Sequence, residues 1–366
     1  MKAARGSSLA NLLLILGGAL LGLLALEIGL RVYWYPAAPG SVWNSETPAE
    51  SERWAGHPFL PYAGKPNAAV DLFSGPAYPV EHIRHNSYGF RSHEFPARKT
   101  PKDFRILCLG GSTTYGYRVE SNDQTWPELL EQKLATRYPD RTVQVFNLGL
   151  DMATTAVSVV NFALVGAHLQ PDLVIPYEGY NDLSALGYRN FRTDHAHFYA
   201  NINPDDVWRG FQANLPRWML RSYVIFQASG ALDMLFGVND LTQAARQPRI
   251  DDSDAFKGLD TTLENLRTLH SIAQASGAQT LFATFQFRDG EDESYQHLND
   301  AFRGFFEANG FMYVDQDRLI PNHDPTINMD QCHFTPKGND MLAQNFVDYI
   351  VAHHLIKDRG EPTPKP

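Results

Sequence analysis

Phe104-Arg105-Ile106-Leu107-Cys108-Leu109-Gly110-Gly111-Ser112-Thr113-Thr114 is the stretch whose reading decides the fold. Its first six residues form a short, mostly apolar run with a branched centre, and two glycines stop it. That pattern reads as a buried strand emptying into a tight loop. The next periodic segment, about 124–138, places Trp126, Leu129, Leu130 and Leu134 on one side of a helix. Ser112 therefore stands where a strand hands over to a helix-bearing segment. Open α/β sheets bind their ligands in the crevice at the carboxyl ends of the strands. Glycines there let backbone approach a ligand closely and leave amide N–H groups turned toward it.

Working outward, strands and helices alternate. Further strands are expected at 142–147, 171–176, 279–285 and 311–314, with helices at 152–169, 259–276, 293–309 and 336–354. Five short strands alternating with helices imply βαβ units. The expected fold is α/β: a flavodoxin-like three-layer α/β/α sandwich with a five-stranded parallel sheet, spanning 101–356 ahead of a flexible tail at 357–366. The alternation breaks at 184–257. That insertion is rich in aromatic residues, among them Tyr188, Phe191, Trp208 and Trp218, and leaves the end of the third strand. It reads as a small helical cap, serving as packing, as a substrate lid, or as both.

The N-terminal part differs in kind. Lys2 and Arg5 precede an apolar run at 9–30 whose only strongly polar members are Asn11 and Glu27. A membrane-spanning helix needs about 20 residues, whereas a secretory h-region takes about 7–15 before a small-residue cleavage site. Arg31 and Tyr33-Trp34-Tyr35 resemble an interfacial belt. Residues 1–35 are thus expected to be a transmembrane signal anchor with the rest of the chain outside the cytoplasm; a cleaved signal is the alternative. Residues 36–100 hold many prolines, then His57-Pro58-Phe59-Leu60-Pro61-Tyr62 and Asn86-Ser87-Tyr88-Gly89-Phe90-Arg91, and read as a linker followed by an aromatic strap packed on the main domain.

Composition narrows the function classes. With 43% apolar and 20% charged residues the chain can build a large core. A formal charge of −10, without a basic cluster, argues against a nucleic-acid partner. Cys108 and Cys332 offer no metal-ligand spacing and no disulfide framework. They could pair in an exported protein, but Cys108 sits in an expected core strand, where a buried free thiol is common.

Three further blocks join Ser112 at expected strand ends: Asn147-Leu148-Gly149, Gly179-Tyr180-Asn181-Asp182, and Asp330-Gln331-Cys332-His333 before the last helix. Gly149 could offer a backbone N–H, Asn181 a side-chain amide, and Asp330 lies three residues from His333. Serine hydrolysis needs these parts: a weak nucleophile, a base, a group that orients the base, and donors for the oxyanion. Taken singly, each block also reads as an ordinary turn. His323, ten residues before His333, has no carboxylate at that spacing.

On these blocks the sequence resembles the SGNH/GDSL hydrolase superfamily, over about 104–183 and 258–354. Gly110-Gly111-Ser112-Thr113 matches the first motif, Gly149 the second, Asn181 the third, and Asp330 with His333 the last; Gly111 stands where the name motif has Asp. The strap also looks like the leader of bacterial membrane-anchored members. The resemblance implies Ser112 as nucleophile, His333 as base and Asp330 as its orienting acid. Ser112, Gly149 and Asn181 would form the oxyanion hole, and no metal or organic cofactor is called on. The expected substrate is an ester, a short acyl group on an envelope carbohydrate or else a lipid, met from the periplasmic side of the bacterial inner membrane. An O-acyltransferase acting on envelope glycan, and a catalytically silent envelope scaffold, are the rival readings.

Overall fold

The computed structural model describes residues 3–34, 53–73, 79–187, 191–199, 258–288 and 292–356, with scattered positions between 219 and 232. The expected cap at 184–257 lies largely outside the described residues, and the tail at 357–366 wholly so.

The chain begins with helix α1 (Ala3–Trp34), in which Leu13–Leu30 is long and apolar enough to cross a membrane by length and composition. The strap then forms two antiparallel ribbons. One pairs β1 (Trp54–Ala55) with β2 (Ala63–Gly64), the other β3 (Ala69–Phe73) with β4 (Val80–Arg84). In β4 the side chains alternate, so Glu81 and Ile83 face inward while Val80, His82 and Arg84 face solvent.

The α/β unit follows: β5 (Asp103–Gly110), α2 (Ser112–Tyr115), α3 (Trp126–Arg137), β6 (Thr142–Asn147), α4 (Thr155–Leu164), β7 (Leu173–Tyr177), α5 (Tyr180–Leu186) and α6 (Ala196–Tyr199). It continues with α7 (Leu259–Ala275), β8 (Gln279–Thr280), β9 (Phe282–Ala283), α8 (Glu293–Asn309), β10 (Tyr313–Val314), α9 (Gln316–Leu319) and α10 (Pro336–Ala352). The parallel sheet has the order β6-β5-β7-β8, and β9 pairs in parallel with β10. One five-stranded sheet was expected; the described residues show a four-stranded sheet beside a two-stranded pair. The fourth run is interrupted at Leu281, whose N–H still reaches Val174 O at 2.9 Å, while the next amide, Phe282, donates to Met312 O. The run thus changes partners midway.

Period-two alternation along β5 decides where the helices go. Ile106 and Cys108 enter one core with Trp126, Leu130 and Leu134 of α3 and Phe346 and Ile350 of α10. Leu107 and Leu109 enter the opposite core with Phe162 of α4 and Leu269 and Ala273 of α7. A strand apolar on both sides must be covered on both sides. Each such side chain, fully buried, contributes about 1.5–3 kcal/mol, so β5 is the rigid post behind Ser112. The helix expected at 152–169 is shorter: Met152 has φ +58°, α4 starts at Thr155, and after Val165 the chain tightens into a 3₁₀ turn at Gly166–Leu169. Cys108 and Cys332 are both buried free thiols.

Candidate active site

Ser112 is the first residue of α2, immediately beyond the carboxyl end of the central strand β5. Its helix is tied to β5 by Thr114 Oγ1 donating to Leu109 O (3.4 Å) and to the far side of the site by Thr113 Oγ1 donating to Cys332 O (3.0 Å). The segment carrying His333 is itself a tight turn. Asn328 bridges Phe334, Met329 N–H reaches His333 O at 2.8 Å, and the Asn328 side chain donates to Gln286 Oε1 at 2.9 Å. Thr335 then caps α10, accepting the Gly338 N–H at 3.3 Å.

These two turns bring three expected residues together. Ser112 Oγ lies 2.8 Å from His333 Nε2. His333 Nδ1 lies 2.9 Å and 2.8 Å from the two Asp330 oxygens. With a carboxylate on Nδ1, that nitrogen carries the proton and Nε2 accepts from the serine. Asp330 Oδ1 also accepts the Cys332 and His333 amides at 3.1 Å and 2.9 Å. Burial by itself would raise the Asp330 carboxyl, but the His333 ring and these two amides outweigh it and hold it well below the usual carboxylate range. It is therefore an anion throughout the working pH range. Cys332 Sγ sits 3.6 Å from His333 Nδ1, and burial pushes its thiol well up, so it stays a neutral neighbour.

Beside this row is a small cleft lined by Gly111, Ser112, Gly179, Tyr180, Asn181 and Phe285, among others. Asn181 is buried there, on the first turn of α5, and its Nδ2 donates to Ala153 O at 2.8 Å. A Cβ at position 111 would strike that amide nitrogen. Gly111 thus lets the amide close over the Ser112 turn, a physical reason for glycine at this position. Gly149 is placed differently. It packs behind α2, where a Cβ would collide with the Tyr115 amide and come within 2.8 Å of Thr114 C, and its N–H donates to Asn147 Oδ1 at 3.0 Å. It is not among the residues lining the cleft.

Beneath Asn181 lie two fully buried carboxyls. Asp182 accepts from the Thr155 amide and hydroxyl and from Thr262, tying α5 to α4 and α7, while Glu178 pairs with Ser158. Burial raises both, Asp182 to about 6, its Thr155 and Thr262 bonds opposing the rise.

One group at the site escaped sequence reasoning. Arg118 donates Nη1 to Asp330 Oδ2 at 3.0 Å, and the neighbouring Tyr117 ring lies 4.9 Å from the His333 ring. Nothing in Tyr117-Arg118-Val119-Glu120 distinguishes it from an exposed loop; the only available signal was position, six residues after Ser112.

Residues 108–217 match the GDSL-like Lipase/Acylhydrolase family. No curated protein matches the chain. Among solved structures, an acetyl xylan esterase variant from Geobacillus stearothermophilus is 15% identical, with 68% of this chain and 94% of that chain covered and a TM-score of 0.43. An α/β hydrolase enzyme from the metagenome of Lake Arreo is 17% identical, covering 70% and 97% at a TM-score of 0.42. A GDSL-like lipase from Bacteroides thetaiotaomicron is 13% identical, covering 68% and 88% at 0.40. None of these likenesses is close enough to carry a substrate across. The matched residues span the Ser112, Gly149 and Asn181 turns, so this part of the chain is similar to GDSL-like lipases and acylhydrolases.

Proposed function

We propose that this chain is a serine esterase that works through an acyl-enzyme at Ser112. The observation that carries the reading is the unbroken row from Ser112 Oγ through the His333 ring to Asp330, at 2.8 Å and 2.8–2.9 Å. His333 takes the serine proton as Oγ attacks the ester carbonyl, and Asp330 holds the ring in the accepting tautomer and stabilises the imidazolium. His333 then returns the proton to the departing alcohol. Water enters by the same route, giving its proton to His333 while its oxygen attacks the acyl carbonyl, and the acid leaves as Ser112 recovers the proton.

The developing oxyanion is held by the Ser112 N–H and by the second N–H of Asn181 Nδ2; Gly149, whose N–H goes to Asn147 Oδ1 and which does not line the cleft, supports α2 from behind instead. Such donors act because they are fixed before charge develops. Asn181 meets that condition through Ala153 and through the anchoring of α5 by Asp182.

A short acyl group fits best. Among the described residues the space beside Ser112 is closely ringed by Gly111, Gly179, Asn181 and Phe285, which favours a small acyl group. With α1 as an anchor, the domain works beside a membrane, where acylated envelope carbohydrate is the favoured substrate. The apolar span Leu13–Leu30 also supports a lipid ester as second reading, since a tethered domain meets its own bilayer first.

The test is hydrolysis of p-nitrophenyl acetate, butyrate and octanoate by the full chain in detergent, beside Ser112→Ala. Activity that falls with acyl length and drops by ~10⁴ or more in the variant is expected. Preference for octanoate moves the substrate to lipid, and activity that survives Ser112→Ala removes the mechanism.

A further inference from the structure

The strap meets the site at the loop of residues 116–122, which follows α2, as well as at Tyr115. Fully buried Arg91 spreads its guanidinium over that loop: Nη1 to Gly116 O at 2.6 Å, Nη2 to Val119 O at 3.3 Å, Nε to Asn122 Oδ1 at 3.2 Å. Fully buried Glu81, on the inward face of β4, accepts the Arg118 N–H at 2.9 Å and lies 3.8 Å from Arg91 Nη1. Arg118 itself has φ +64°. A long side chain adopts that left-handed conformation only where its surroundings over-determine it. Glu81 on its amide, with Arg91 on the residues either side, supplies that determination. The result is a guanidinium aimed at Asp330.

We propose that the strap acts on the reaction through Arg118, a positioning residue: Glu81 and Arg91 fix the loop, and Arg118 holds the second oxygen of Asp330. Asp330 Oδ1 is fixed by two amides of its own turn, whereas among the described residues Oδ2 meets the His333 ring and Arg118 alone. Without Arg118 the carboxylate can pivot about Oδ1 and carry the ring away from Ser112. The pair is mostly buried, so Arg118 acts on Asp330 through position and through charge together. This inference rests on the reading of Ser112, His333 and Asp330 as a triad. It turns the leader segment from a linker into a part of the catalytic apparatus.

The experiment uses the full chain. Arg118→Gln, Arg118→Lys, Glu81→Gln and the Glu81→Gln/Arg118→Gln double variant are compared with wild type and Ser112→Ala for kcat and KM on p-nitrophenyl acetate across pH, with thermal melts alongside. The groups around the Asp330–His333 pair are Arg118, Tyr117 and Cys332. Removing the cation leaves the Asp330 charge unopposed, which favours the protonated ring. Arg118→Gln is therefore expected to lower kcat about tenfold at unchanged KM and to move the acid limb of the pH–rate profile upward. Arg118→Lys should restore the limb but only part of kcat, because an ammonium lacks the planar fork. Glu81→Gln should lower kcat, and the double variant should be no worse than Arg118→Gln alone.

A folded Arg118→Gln with unchanged kcat and profile overturns the proposal, as does a change confined to KM, which would make Arg118 a substrate contact. Additive losses in the double variant overturn the link to the strap. Should Glu81→Gln fail to fold, the two Arg118 variants decide. Wild-type activity that persists in Ser112→Ala, or a wild type that hydrolyses no ester and takes no fluorophosphonate label, overturns the triad reading itself, a result distinct from a triad indifferent to Arg118.

Discussion

Ser112 is held on two sides by two kinds of construction. On the sheet side the supports are main-chain turns at strand ends: Gly110-Gly111 under the serine, Gly149 against α2, and Asn181 on the first turn of α5. On the strap side they are long side chains reaching across from elsewhere, with Arg91 and Glu81 on the 116–119 loop, His85 Nε2 on Tyr115 OH at 2.9 Å, and Arg118 on Asp330. Turns made of backbone tolerate almost no added atom. Side-chain struts tolerate substitution but give way by degrees. Damage on the first side should be abrupt and on the second graded.

Gly149→Ala is the hardest test of that difference. Its Cβ would run into the Tyr115 amide and Thr114 C, both backbone, which cannot rotate away. Overpacking against main chain should cost about 1–3 kcal/mol or more, lowering Tm by roughly 3–10 °C, and kcat should fall at least ~10²-fold because α2 is displaced. A variant with wild-type melting and turnover would break the comparison outright. Asn181→Ala removes a donor without adding atoms. Turnover should fall ~10²–10³-fold while the melt moves only slightly, and a large melting change with mild kinetics would make Asn181 a packing residue.

The strap side predicts its own, smaller effect. The His93 ring lies 3.2 Å from Glu128 and 3.2 Å from Glu131 of α3, with Glu94 nearby, and the Glu128 hydrogen bond pushes it up to about 9. A histidine raised from its usual ~6.5 stabilises fully below that value, and the contribution fades as pH climbs through about 9. Burial raises Glu131 to about 7, so its ionisation adds a cost in the same direction. Wild type should therefore melt a few degrees above His93→Ala at pH 6 and at the same temperature near pH 10. A gap that persists at high pH would mean that packing, not charge, joins strap to helix.

The same contrast explains what could be read in advance. Runs such as Phe104 to Leu109, and the strict spacing of Asp330 and His333, are local patterns imposed by a strand period or a single turn, and they located the parallel sheet and the three side chains that meet at its edge, Ser112, His333 and Asp330. Glu81 was less visible, although in Val80-Glu81-His82-Ile83-Arg84 an acid sits in phase with Ile83 on the inward face. That is a local anomaly, yet only the fold shows that the Arg118 amide and Arg91 lie opposite. Arg118 left no local trace, since its partner is 212 positions away. All five expected runs are strands, but the break at Leu281 between the pairing with β7 and the pairing with β10 depends on two different neighbours, and periodicity sees neither.

Ser112 and His333 are separated by 221 positions, and the base-bearing turn is seated by α10, which docks on α3 through Lys133 and Asp340. During synthesis Ser112 therefore emerges long before His333. A contact of such long range closes late in folding, so under the proposed mechanism a growing chain would stay chemically silent until α10 is in place. By the same logic, proteolytic loss of that helix would act as a permanent off-switch while leaving most of the sheet intact.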